Sequence, residues 1–342
     1  MNGINQITIV MYHFVRELKY TRYPQIKGLL TSQFREQLNY MEKYYQFVTV
    51  NDCIDAIYSN GELPSNAILL TFDDGYIDHF NTVFPILHER GIQGCFFPPA
   101  KVILEHEVLD VNKIHFILAS CSNIHDLLKD IYTCLNKYRL EYSLENNDYY
   151  FSKLAKAGRM DPKEIVFVKR LLQVELEETL RNLIVHELFQ KYVSNDEKSF
   201  SRELYMEVDQ IKCMVRNGMY IGSHGYEHYF LNTLQPEKQE QEIDLSLRFL
   251  EEVGSPTDKW VMCYPYGAYN NSLIDILKKK NCKLGLTTKV DIAGLSKENA
   301  FTLERLDTND LPKASGEEAN LWTKKVWGFY ENTSSGLDKH GG

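Results

Sequence analysis

The sequence predicts an α/β fold, a (β/α) barrel carrying a large helical insertion, and three observations predict it. The chain has 342 residues, 44% hydrophobic and 25% charged, enough to bury one large core and balanced as in a globular protein. Apolar strand-like runs alternate with amphipathic helical stretches, the rhythm of a parallel-strand architecture. A block over 105–199 breaks that rhythm, and setting it aside leaves a chain near the ~250 residues typical of a single barrel.

The first strand is expected over 7–14, where Ile7, Ile9 and Met11 alternate with Thr8 and Val10. A helix follows over 32–45, with Ser32 as N-cap and Phe34, Leu38 and Met41 along one face. Further strands are expected over 67–72, 93–98, 219–223, 259–264 and 283–288. Between them lies a helix over 236–253, with Pro236 in its first turn, Ile243, Leu247 and Leu250 as its stripe and Gly254 as its stop. Another is expected over 272–280, where Lys278, Lys279 and Lys280 suit the negative end of the helix dipole.

Residues 105–199 carry almost no strand signal and read as several helices. The longest is expected over 162–192, with Ile165, Val168, Leu172, Leu176, Leu180, Leu183 and Leu188 as its stripe. Such a block is too long for a loop, so it is expected as a helical insertion on the barrel rim, either a lid or the interface of a homo-oligomer. The barrel then comprises 1–104 and 200–327, and the polar, glycine-rich 328–342 is expected to be a disordered tail.

Composition narrows the function classes. A net charge of −9 repels a phosphate backbone, so no nucleic-acid partner is expected. No run approaches the ~20 apolar residues a membrane helix needs. The N-terminal stretch lacks a basic leader, and none of the seven cysteines forms a CxxC pair; these predict reduced core thiols and a cytoplasmic location.

Three motifs carry chemistry, each following an apolar strand. Thr71-Phe72-Asp73-Asp74-Gly75-Tyr76 puts two carboxylates where barrel enzymes keep catalytic groups; read alone, it could be a surface turn capping a helix. Ser223-His224-Gly225-Tyr226-Glu227-His228 offers two histidines at i and i+4, able to converge on one metal. One aspartate with two histidines leaves open positions for water and substrate. Cys263-Tyr264-Pro265-Tyr266-Gly267-Ala268-Tyr269 forms a tight turn that is either structural or aims an N–H at a developing oxyanion.

In this order, TFDDGY, SHGYEH and YPYG resemble the first three motifs of the polysaccharide deacetylases, carbohydrate esterase family four with the NodB-homology domain. The likeness spans roughly residues 4–310, interrupted by the insertion. It implies a distorted (β/α) barrel and removal of N-acetyl groups from aminosugars. It also implies Asp73 as catalytic base, Asp74, His224 and His228 as metal ligands, and the Tyr266 backbone amide at the oxyanion. Two departures stand out. The family's arginine, three residues before the tyrosine, is replaced by Cys263. The Leu-x-His histidine that serves as general acid is absent from Leu286-Thr287-Thr288. His13, in Met11-Tyr12-His13, is the candidate acid, similar in placement to the histidine of biofilm poly-N-acetylglucosamine deacetylases; the alternative is a structural histidine. Arg305 is the candidate replacement for the arginine, the alternative being a surface ion pair.

The expected activity is therefore metal-dependent hydrolysis of N-acetyl groups on an aminosugar-containing glycan or precursor, with a divalent ion, zinc by preference, as cofactor. The alternatives are an inactive glycan-binding domain and a deacetylase of an O-acetyl ester or non-sugar amide.

Overall fold

The computed structural model describes residues 6–59, 61–158 and 161–327. They divide into two compact units: one of 6–16, 28–105 and 204–327, the other of 17–27 and 106–203. The tail over 328–342 lies outside the described residues.

In the first unit, strands β1 (Gln6–Tyr12), β2 (Ala67–Asp73), β3 (Gly94–Phe97) and β4 (Tyr220–Ile221) pair in parallel, in that order. Strands β5 (Trp260–Cys263) and β6 (Cys282–Leu286) form a second parallel pair. β7 (Leu306–Asp307) pairs in parallel with β1. Single parallel bridges, Ser223 to Met262 and Leu286 to Leu303, join these pieces and close the ring. The result is a barrel of parallel staves, and every residue of β2 is buried, as a central stave covered on both faces must be. All staves point the same way, so their C-terminal ends meet at one mouth.

The expected strands all form, each within two residues of its predicted ends. Helix Pro236–Val253 has the expected bounds, and Gly254 stops it in the left-handed conformation. Two local expectations are corrected. Ser32 is not the N-cap: helix Thr31–Tyr44 starts one residue earlier, and the Leu30 N–H is met by Gln33 Oε1 at 3.3 Å. The long helix over 162–192 is two helices, Lys163–Arg170 and Glu178–Tyr192, separated by a π turn over Leu171–Glu175 and an extended Leu176. The break shifts the helical phase, so Leu183 is exposed and the buried stripe becomes Leu180, Ile184, Val185, Leu188 and Phe189.

That stripe packs on helices Asp110–Ser120 and Ile124–Tyr138 of the same second unit. Residues 17–27 join this unit through Tyr23, whose ring meets Phe116 and Phe200 edge-on, and through a Lys27–Asp161 ion pair.

Candidate active site

The barrel mouth gathers the sequence motifs. β2 ends at Asp73, after which Asp74 (φ 73°) and Gly75 (φ 71°) turn left-handed. A side chain at Gly75 would set its Cβ 2.6 Å from Pro98 Cβ, so the turn requires glycine for both conformation and space. The turn sends the two neighbouring carboxylates to different partners.

Asp73 faces Arg305. The guanidinium grips it from both nitrogens, Nη1 to Oδ1 at 2.9 Å and Nη2 to Oδ2 at 2.8 Å. Arg305 is itself fully buried and fixed, donating from Nε to the Thr287 carbonyl at 2.8 Å and from Nη1 to Thr71 Oγ1 at 3.1 Å. Such a planar fork is the strong form of a carboxylate hydrogen bond. Burial pushes the Asp73 carboxyl up, but the charge of Arg305, then His224, the Arg305 hydrogen bonds and His13 outweigh it and bring its pKa down to about 2. Asp73 is thus an oriented carboxylate, ionised at neutral pH.

Asp74 faces the histidines. Its Oδ1 lies 3.5 Å from His224 Nε2 and 3.4 Å from His228 Nε2, and its Oδ2 accepts the Tyr76 hydroxyl at 2.6 Å. His224 Nδ1 meets the Cys263 carbonyl at 2.8 Å; it must carry the hydrogen, so Nε2 is the ring atom that faces Asp74 and would bind an ion. Burial disfavours a proton on both rings. On His224 this is outweighed, by Cys263 and by the hydrogen bond to Asp74; on His228 it is not, and that ring is held below its ordinary value.

These three donors fit a divalent ion. All lie within 4.8 Å of one another and are buried. Bonds of about 2.0–2.1 Å to a tetrahedral zinc place neighbouring ligands roughly 3.3–3.4 Å apart, close to the spacings seen. Asp73, His224 and Cys263 also cluster, but Arg305 already claims both Asp73 oxygens and burial raises the Cys263 thiol, which disfavours the thiolate a metal needs.

Tyr266 lies in the turn after β5 with φ 57°, and its ring stacks on Phe230 at 3.9 Å and 6° and stands edge-on to His228 at 4.7 Å. Asp74, His228 and Tyr266 are three of the six described non-glycine residues with positive φ. A strained backbone of this kind costs about 1–3 kcal/mol per residue and concentrates at functional sites.

His13 follows β1 and is partly exposed. Its carbonyl faces His79 Nε2 at 2.9 Å. His79 stands outside the three motifs, in a helical stretch. The structure buries it completely, and burial lowers its pKa to about 4, so it is a neutral donor that holds the His13 backbone.

The family sequence model of the polysaccharide deacetylases matches residues 188–285, a span holding His224, His228 and Tyr266. Over that span the chain resembles the polysaccharide deacetylases. It is 28% identical over 129 residues to the Bacillus subtilis protein YxkH, whose name assigns it to the same family; the match covers 38% of this chain and 45% of YxkH. It is 43% identical over 58 residues to the poly-beta-1,6-N-acetyl-D-glucosamine N-deacetylase of Escherichia coli K12, covering 17% of this chain and 9% of that protein. The matches thus span less than half the length of these relatives. Among solved structures, the Streptococcus pyogenes deacetylase PplD superposes with a TM-score of 0.57 at 18% identity, covering 96% of this chain and 99% of PplD. IcaB from Ammonifex degensii superposes with a TM-score of 0.51 at 19% identity, covering 89% and 92%. At these identities the likeness establishes the shared fold.

Proposed function

We propose that this protein hydrolyses N-acetyl groups on an aminosugar-containing glycan or glycan precursor, with a divalent ion held by Asp74, His224 and His228. The observation that carries the reading is the pair of opposed arrangements at one barrel mouth. Asp73 is locked in its ionised form by Arg305, and its neighbour Asp74 sits beside two histidine Nε2 atoms at ligand spacing.

When bound, a divalent ion, zinc by preference for a His₂-carboxylate set, acidifies water and draws charge from a carbonyl oxygen. Asp73 accepts the proton of the attacking water, oriented throughout by the Arg305 fork. In this reading the Tyr266 backbone amide stabilises charge on the acetyl oxygen, and the Tyr266–Phe230 stack offers an aromatic wall for a sugar face. His13, as imidazolium, gives its proton to the departing amine as the C–N bond breaks. The products are acetate and a free amino sugar. An alkylamine leaves poorly unless protonated, so a separate acid is needed beside the base.

The inactive, glycan-binding alternative drew on the missing arginine and the missing histidine. Against that alternative stands the Arg305 fork on Asp73, which does for the carboxylate what the missing arginine would do. The E. coli relative acts on a poly-N-acetylglucosamine, which makes an N-acetylglucosamine polymer the first substrate to assay.

The test is acetate release from N-acetylglucosamine oligomers, lipid- and nucleotide-linked N-acetyl sugars, and an O-acetyl ester, with and without prior chelation. We expect release from at least one N-acetyl sugar, abolished by the chelator and restored by Zn²⁺. Release from the ester alone, or release untouched by stripping every metal, overturns the reading.

A further inference from the structure

The buried face of helix Pro236–Val253 is not wholly apolar. Glu242 and Ser246, four residues apart and so on one side, are buried at 0% and 1% exposure among Ile243, Phe249 and Leu250. Burying a carboxylate is costly unless strong hydrogen bonds meet it, so what it holds is informative. Glu242 Oε2 accepts the successive backbone N–H groups of Tyr226 at 3.1 Å and Glu227 at 2.9 Å. Those residues lie in the loop between His224 and His228. Ser246 Oγ pairs with Ser223 Oγ at 2.8 Å, and Ser223 Oγ accepts the Gly225 N–H at 3.2 Å. From the opposite side, the carbonyls of Gly225 and Tyr226 accept the N–H groups of Ala100 and Lys101 at 3.3 and 3.0 Å.

The loop thus has its donors and acceptors clamped separately, while both Gly225 (φ 72°) and His228 (φ 62°) hold left-handed conformations. Left unclamped, a non-glycine residue relaxes out of that conformation. Relaxation at His228 would swing its ring away from Asp74.

We propose that Glu242 is a positioning residue for the metal site: by capping the Tyr226 and Glu227 N–H groups it fixes the spacing of His224 and His228 and thereby sets the affinity for the ion. This rests on the ligand assignment above. Groups that orient metal ligands from behind typically change affinity about 10–100-fold when removed. The mechanism is hydrogen-bond geometry rather than charge. Glutamine keeps an acceptor oxygen at the same reach and should preserve the clamp. Aspartate keeps the charge but retracts the oxygen by one methylene and should loosen it.

Zn²⁺ affinity is measured by competition with a chromophoric chelator on the apo forms of the wild type, Glu242→Gln, Glu242→Asp and Glu242→Ala. Co²⁺ absorption bands report ligand geometry, and circular dichroism checks that each variant is folded. We expect Glu242→Gln to remain within about threefold of the wild type. Glu242→Asp and Glu242→Ala should weaken binding by about tenfold or more, with altered Co²⁺ bands. If alanine prevents folding, the Gln and Asp pair decides alone. Equal affinity in all folded variants overturns the proposal, and so does a Gln variant as weak as the Asp variant. A wild type that binds no Zn²⁺ instead removes the ligand assignment on which the proposal rests.

Discussion

Arg305 has one job that chemistry can isolate, which is to keep Asp73 ionised and aimed. With the carboxyl at about 2, below its ordinary value of about 3.9, the pair contributes stability that is fully present above about pH 4 and is lost as pH falls through about 2. The contribution is about 2 kcal/mol. Arg305→Met leaves a buried carboxylate without its partner. The folded protein should lose about 3–5 kcal/mol at neutral pH, and burial, no longer opposed, should drive the Asp73 carboxyl upward. Turnover should then fall by roughly 10–100-fold at neutral pH, with bound metal unchanged and a new acid limb in the rate profile. Urea denaturation and a pH–rate profile check this together. An unaltered acid limb would show that Arg305 does not tune the base. At this scale the sequence was partly legible. Asp73, Asp74, His224 and His228 stood out because their motifs follow strands. Arg305 could be named but not separated from a surface ion pair, since its distance from Asp73 along the chain says nothing of the barrel closure that joins them. His79 and Glu242 could not be named at all: each lies in a helical stretch and acts through a backbone group of another segment.

Elements were more legible where local chemistry fixes their ends. Pro236 and Gly254 bound one helix at both ends, and the apolar run over 67–72 marked a stave whose neighbours on each side are parallel. The broken helix was not legible, because Leu172, Leu176 and Leu180 continue a helical stripe through the very residue that turns extended, and only packing inside the second unit selects the break. The turn after β2 carries a sharp prediction. In Gly75→Ala the methyl group meets Pro98 Cβ at 2.6 Å while the backbone stays at φ 71°. The variant should lose about 2–4 kcal/mol by the sum of left-handed strain and overpacking, and should also lose metal affinity as Asp74 shifts. Equilibrium unfolding with a Zn²⁺ titration reads both. A variant of wild-type stability would mean that the turn has room to move and does not hold the aspartates.

On the scale of the whole molecule, the barrel closes through one-residue bridges at Ser223–Met262 and Leu286–Leu303, contacts that no periodicity in the sequence could reveal. Nor could it show that 17–27 belongs with the helical unit, since the link is made by the Tyr23 ring and the Lys27–Asp161 ion pair, whose partners lie far along the chain. The apolar stripe that suggested a lid or an oligomer interface is covered by helices of its own unit, so burial of that stripe asks for no further partner. What joins these scales is the claim that Asp73 is the base and Asp74 a ligand, two adjacent residues with separate work. The most direct test is Asp73→Asn, assayed for bound Zn²⁺ and for acetate release from the substrate the wild type accepts. The amide keeps the shape but cannot take a proton. The account predicts near-stoichiometric metal with turnover reduced at least about a hundredfold. A variant that turns over normally, or one that loses its metal while Asp74→Asn keeps it, would contradict the assignment.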